Sequence, residues 1–200
     1  MKYVFICLIC LFSTNSLAKI ESIYLSSGLQ KSSLTLNGAE IDLEDSLFIK
    51  AGYPFMLAPN YFLILEFEYN KIGSFERNVS DGLNYERTNV DASSYGINLK
   101  YLSYLFDSDF YLASLLSANK YSLDLMIDSL SQETTNGTTL QTTIKGAKEF
   151  DEFGLSYGVE IGYSLPYSMN IAASYTMGRM VADGIAVDFI SSQLILSYLF

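Results

Sequence analysis

The sequence predicts an all-β protein: an eight-stranded antiparallel up-and-down barrel that crosses a membrane with its strands. Three observations carry this. Apolar and small polar residues alternate with period two through eight segments, as successive side chains of a strand must. The links between segments alternate between long polar stretches and short turns, which is the pattern of a hairpin meander. Half of the 200 residues are hydrophobic and only 17 % are charged, yet beyond the N-terminus no run approaches the ~20 apolar residues a membrane helix needs.

The N-terminal stretch MKYVFICLICLFSTNSLA has Lys2, an apolar core from Val4 to Phe12, and small residues at Ser16 and Ala18. This is the layout of a secretory signal peptide rather than a span. Cleavage is expected after Ala18, giving a signal at 1–18 and a barrel domain at 19–200. Both cysteines, Cys7 and Cys10, lie in the signal. The remaining chain therefore lacks a disulfide framework, a thiol nucleophile and a thiolate metal ligand. There is no histidine and no tryptophan, so the usual proton shuttle and commonest metal ligand are missing too. The formal charge of −10 argues against nucleic acid as a partner.

Taken in order, strands are predicted at about 20–34, 46–55, 61–76, 93–106, 110–129, 153–166, 169–180 and 189–200. The first sets Ile23, Leu25 and Leu29 against Ser26, Gly28 and Gln30. The second sets Leu47, Ile49, Ala51, Tyr53 and Phe55 against Lys50 and Gly52. The third opposes Tyr61, Leu63, Leu65, Phe67 and Tyr69 to Glu66, Glu68 and Asn70. The fourth opposes Tyr95, Ile97, Leu99 and Tyr101 to Gly96, Asn98 and Lys100. The fifth is less regular. Its later half alternates as Tyr121, Leu123, Leu125 and Ile127, its first half fits either parity, and a bulge would reconcile them. The sixth, FGLSYGVEIGYSLPY from Phe153, alternates most strictly. The seventh opposes Met169, Ile171, Ala173, Tyr175 and Met177 to Asn170, Ser174, Thr176 and Gly178. The last carries Leu194, Leu196, Tyr198 and Phe200 on one face, with Gln193 and Ser197 on the other. Polar loops follow the odd-numbered strands. The third loop, Thr-rich, is expected to extend partly as a hairpin with its tip at Asn136-Gly137.

Periodicity leaves open which face looks inward. A soluble ligand-binding barrel points its apolar face in, a membrane barrel points it out. Outward is favoured because the opposite face is rich in Gly, Ser, Thr and Asn, which suit a cramped lumen better than a solvated exterior. Aromatic residues also collect at strand ends, as in interfacial girdles. Tyr53, Phe55, Tyr61, Phe106, Phe110, Tyr111, Tyr163, Tyr167, Tyr198 and Phe200 would form the short-turn girdle. Tyr69, Phe75, Tyr95, Tyr121, Phe153, Tyr157 and Phe189 would form the loop-side girdle.

On the inward parity, Lys50, Glu66, Lys100 and Glu160 lie at similar depth, with Glu68 and Gln193 one layer up. A polar plug of salt bridges and hydrogen bonds is one reading, because buried charge is tolerable only when paired. A gate of a narrow channel is the other. The loops are acidic around Glu40, Asp42, Glu44 and Asp45. Arg179, on the apolar parity at the loop rim, suits either a lipid-A phosphate or an interfacial snorkelling position. No nucleophile elbow, phosphate loop or metal-ligand cluster is present, so no catalytic, cofactor or metal residue is assigned.

These features together resemble the small outer-membrane β-barrel family of Gram-negative bacteria, including the opacity and attachment-invasion type surface proteins, often called the porin family. The residues that carry the resemblance are the cleavable signal, the eight alternating strands and the terminal LILSYLF. The resemblance implies a location in the outer membrane among lipid and lipopolysaccharide, and a monomeric, non-enzymatic barrel. It also implies that Leu194, Leu196, Tyr198 and Phe200 are read by the barrel-assembly machinery. A structural or surface-interaction role is expected, such as adhesion or envelope integrity, with a host or surface ligand met by the loops. A narrow solute channel and a soluble periplasmic binding barrel are the alternatives.

Overall fold

The computed structural model describes residues 23–36, 38–81, 84–106, 108–135 and 138–200. The expected signal peptide and the Asn136-Gly137 tip lie outside the described residues. Nine strands follow in order: β1 (Tyr24–Leu36), β2 (Ala39–Asp42), β3 (Ser46–Ala58), β4 (Tyr61–Asp81), β5 (Asn84–Tyr104), β6 (Phe110–Thr135), β7 (Thr138–Leu165), β8 (Met169–Ala182) and β9 (Ile185–Leu199). Neighbours pair antiparallel throughout, and β1 also pairs with β9 from Tyr24↔Leu199 to Leu36↔Val187. That last ladder closes the sheet. Eight strands make the wall, and the four-residue β2 is an addition that folds back on the end of β1 at Ser33↔Asp42 to Leu36↔Ala39. Closure leaves no edge along the wall, the condition a strand-built membrane span must meet.

The faces sort as an outward-apolar barrel. Leu47, Phe67, Leu155 and Leu194 are 65 %, 57 %, 66 % and 54 % exposed, whereas Gln30, Lys50, Asn98 and Glu160 are at most 2 % exposed. A soluble barrel with an apolar interior would show the reverse, so that alternative is overturned.

Three expectations need correction. First, β6 keeps one register with both neighbours over its whole length, so it has no bulge. Its inward parity is set by Tyr111, Ala113, Leu115 and Ser117, and continuity then carries Tyr121 and Leu123 inward as well. The outward side of β6 is the even parity, with Leu112 and Leu116. The register shifts fall elsewhere, between Lys71 and Gly73 of β4 and between Met56 and Ala58 of β3. Gly73 has φ 144°, and a Cβ there would come within 2.7 Å of the Glu44 carbonyl oxygen. The bulge is thus where the first polar loop docks, through Glu44 N donating to Ser74 O at 2.7 Å.

Second, three of the expected girdle aromatics, Tyr111, Tyr121 and Phe189, are buried in the lumen, and Phe75 is half-buried against the hairpin-side cluster there. Tyr121 and Phe189 stack with centroids 4.9 Å apart. Ring identity says nothing of parity, and these three stand on the inward one. Tyr61, Phe110, Tyr167, Tyr198 and Phe200 at the short-turn end, and Tyr69, Tyr95, Phe153 and Tyr157 at the other, do face out.

Third, the loop after the third predicted strand is mostly strand, and the Thr-rich loop extends as a hairpin, as expected, over nearly its whole length. β4 and β5 pair out to Asp81↔Asn84, and β6 and β7 out to Thr135↔Thr138. Once a ladder is running, each further pair satisfies backbone groups at little cost in polar or Thr-rich sequence. The fourth loop shrinks to the turn Asp183-Gly184, with φ 51° and 77°, the two positive values a type I′ hairpin needs.

Candidate functional site: the filled lumen and the protruding sheet

The lumen is filled in layers. Nearest the short turns, Tyr24, Ile64, Leu102, Tyr111, Ala172 and Ile195 form an apolar cluster, with Phe62 and Tyr104 packed against it. A Cβ at Gly162 would lie 2.2 Å from the Tyr111 Cζ atom, so that glycine is what admits the ring. Nearest the hairpins, Leu34, Leu43, Ile72, Val90, Leu123, Phe150, Met180 and Phe189 form a second cluster. Leu43, from the segment between β2 and β3, is held there by its amide donating to Ser32 O at 3.0 Å.

Between the two clusters lies the charged layer. Lys100 Nζ stands 3.0 Å from Glu66 Oε1 and 3.1 Å from Glu160 Oε2, and it donates to the Tyr24 hydroxyl at 3.2 Å. Glu66 also accepts from Asn98 Nδ2 at 2.5 Å, and Glu160 from the Tyr111 hydroxyl at 3.1 Å. Lys50 Nζ pairs with Glu68 Oε2 at 3.1 Å and donates to Gln193 Oε1 at 3.1 Å. Gln193 donates to Gln30 at 2.7 Å, Gln30 to Ser32 at 2.7 Å, and Ser32 shares a 2.8 Å hydrogen bond with Ser191.

The six residues singled out from the sequence, Lys50, Glu66, Glu68, Lys100, Glu160 and Gln193, therefore all lie in this layer. Their pairing differs from a simple depth count. The residue directly across from Lys50 is Glu68, while Glu66 faces Gly52. Strand stagger around a closed barrel displaces partners that equal depth would match. Tyr24, Gln30, Ser32, Asn98, Ser174 and Ser191 complete the network without having been singled out for it, as does Tyr111, which was expected in the girdle. Inward parity was their only sequence signal, and it is shared by many residues that touch none of the charges.

Outside the lumen, Arg179 grips Asp188 bidentately at 2.5 and 2.9 Å. A protein partner on the next strand thus joins the two readings of this exposed arginine. Leu194, Leu196, Tyr198 and Phe200 all face out, and the Phe200 amide donates to Ile23 O at 2.9 Å.

The wall is uneven in height. β3 pairs with β4 only as far as Phe48↔Asn70, and β8 with β7 only as far as Gly154↔Met180. Beyond those rungs β4 to β7 continue as a four-stranded sheet. Its two outer edges, residues 75–81 of β4 and 138–153 of β7, pair with no further strand among the described residues. Exposed ion pairs decorate the sheet: Arg87–Glu76 at 3.2 Å, Lys145–Asp128 at 3.7 Å, and Lys148–Asp183 at 2.9 Å, which reaches to the β8–β9 turn. Val79, Met126, Ile127 and Ile144 are exposed on it.

Among solved structures, the chain is similar to the attachment invasion locus protein of Yersinia pestis. The two are 16 % identical with a TM-score of 0.52, covering 90 % of this chain and 99 % of that one. It is similar also to Neisserial surface protein A, at 11 % identity and a TM-score of 0.52, covering 89 % and 97 %. At such identities the likeness is one of fold. No curated protein matches the sequence. Residues 4–200 match the outer membrane protein beta-barrel domain family. With a closed eight-stranded wall, an apolar exterior and nearly the whole length matched, the chain belongs to that family of outer-membrane barrels.

Proposed function

We propose that this barrel is a non-enzymatic surface-interaction protein, a monomer exported by its signal peptide, that presents the β4–β7 sheet to extended polypeptide at the cell surface. The observation that carries this reading is the pair of open strand edges on a sheet that outruns its neighbours. Unpaired N–H and C=O groups on such an edge offer an incoming strand a ready ladder. The membrane-spanning wall is the anchor, and outer-membrane lipid and lipopolysaccharide surround it. Neither the lumen nor its carboxylates supply chemistry in this reading: Glu66 and Glu160 share Lys100, and Glu68 is held by Lys50. Adhesion and envelope integrity are the roles consistent with it.

The test is to shorten both hairpins beyond the lumen cluster, rejoining Glu76 to Asn89 and Leu125 to Lys148 through two-residue turns. Cells carrying this variant should retain a folded, heat-modifiable barrel in the membrane and lose adhesion to a protein-coated surface. Unchanged adhesion would sink the reading. The outward stripe Leu194, Leu196, Tyr198 and Phe200 is proposed as the segment read at assembly. Removing Phe200 should lower membrane insertion without altering the fold of what does insert.

A narrow channel is the second reading, and the layer of buried charge favours it, since rearranging ion pairs can gate a pore. The apolar clusters on both sides of that layer favour a plug instead. Planar-bilayer recording separates the two: a plug gives no stable single-channel openings.

A further inference from the structure

A small chamber lies between the charged layer and the Tyr121–Phe189 stack. Its volume is about 20 Å³, and Glu68, Asn70, Ser94, Asn119, Ser156 and Ser191 line it, with Tyr121 and Phe189 to one side. That is room for one water-sized occupant. Two observations bear on what the occupant is. Asn70 and Asn119 are 6 % and 2 % exposed, and the side-chain oxygen of each has no hydrogen-bond partner among the described residues. A buried, unsatisfied amide oxygen is costly. Three further buried oxygens lack a hydrogen-bond partner among the described residues: Ser26 Oγ, which does not line the chamber, and one carboxylate oxygen each of Glu66 and Glu160, which stand 3.0–3.1 Å from the Lys100 ammonium.

The second observation is charge. Among the described residues the buried acidic and basic side chains of the lumen are three glutamates, Glu66, Glu68 and Glu160, against two lysines, Lys50 and Lys100. Lys50 answers Glu68, while Lys100 answers both Glu66 and Glu160. One negative charge is left unmatched in a buried layer, where such an imbalance is expensive. Glu66 lies one inward step along β4 from Glu68 at the chamber wall.

We propose that the chamber holds a single monovalent alkali cation, ligated by the Asn70 and Asn119 side-chain oxygens with Glu68 and neighbouring serine hydroxyls. Hard cations take oxygen ligands of this kind. One carboxylate already shared with a lysine, together with neutral oxygens, suits a single positive charge rather than two. A cation answers both observations at once, because it satisfies the two amide oxygens and balances the layer. A water would satisfy the oxygens alone, and a proton on a glutamate would balance the charge alone.

The chamber lies among buried residues of the lumen, so the test starts from the unfolded chain. The protein is refolded from urea into detergent micelles in NaCl, KCl or choline chloride at equal ionic strength, and Tm is read by heat-modifiable mobility at a fixed urea concentration. At an alkali-ion concentration ten times the dissociation constant, Tm should lie roughly 3–6 °C above that in choline. Asn119→Leu and Glu68→Gln should each abolish the difference. Should either variant fail to fold, crystals of the unaltered protein grown with thallium(I) should show an anomalous peak between Asn70 and Asn119. Equal Tm in all three salts overturns the proposal, as does a chamber peak without thallium signal at hydrogen-bond distances. A Tm that follows pH with no dependence on the cation would assign the missing positive charge to a proton and overturn it equally.

Discussion

The lumen and the protruding sheet use the same ion pairs to different ends. Lys100–Glu66 is 1 % and 0 % exposed at its side chains, while Arg87–Glu76 is 54 % and 49 % exposed. The two separations are 3.0 and 3.2 Å, so distance does not distinguish them. Solvent does. In the sheet, water and salt screen the attraction, and each side chain has a good alternative in hydration. In the lumen each charge has surrendered its hydration and depends on its partner. The sheet's pairs are therefore replaceable decoration, and the lumen's pairs hold the interior to one arrangement.

Breaking that contrast is most direct at Lys100. Lys100→Met should strand Glu66 and Glu160 and destabilise the barrel by about 3–5 kcal/mol, read as a fall in urea midpoint. A shift worth under ~1 kcal/mol would mean that water reaches the layer. Adding Glu66→Gln and Glu160→Gln to the same chain should restore much of the loss.

Next comes the packing that encloses the charges. Gly162→Ala places a methyl against Tyr111 and should cost roughly 1–3 kcal/mol through overpacking. The same substitution at Gly146, whose Cβ would meet nothing within 4 Å, should leave the urea midpoint close to that of the parent.

In the sheet the expected effects are small. Arg87→Ala should change stability by no more than about 1 kcal/mol, and less at high salt. A larger, salt-insensitive loss would show that the sheet is not the solvated extension described above.

The finest probe is Tyr85, whose hydroxyl donates to Asp128 at 3.1 Å. That hydrogen bond, then slight desolvation and the Asp128 charge, hold the phenol above its ordinary value. Because the neutral phenol is the favoured form in the fold, its contribution is complete below the unfolded value. It disappears as pH rises through the folded one. Tyrosine NMR titration should show Tyr85 titrating late, and Asp128→Asn should bring it back towards ordinary behaviour.

Where the alternation was strict, as from Phe153 to Leu165, both the strand and its faces were legible residue by residue. β6 shows why the rest was not. Its two halves carry apolar residues on opposite parities, since the lumen near the hairpins is itself apolar: Tyr121 and Leu123 pack with Phe189 and Phe150. A rule that equates apolar with lipid-facing has to fail there. Among the charged residues, inward parity and rough depth could be counted along each strand. Who touches whom could not, because a partner such as Glu160 lies sixty positions from Lys100 and is brought to it by closure and stagger.

What the sequence by itself determined was period, parity and chain reversal, because these follow from local backbone geometry and hydropathy. It therefore favoured an outward-apolar, eight-stranded wall, while closure through β1 and β9 and the inward face of β6 came with the structure. What only the tertiary structure decided was everything that depends on strands meeting across the ring. That includes the pairing of Lys50 with Glu68, the two apolar layers that seal the lumen, and the chamber beneath Tyr121. It also includes the height to which β4–β7 outgrow their neighbours. Those contacts depend on the common stagger of all the strands, and no single strand encodes it.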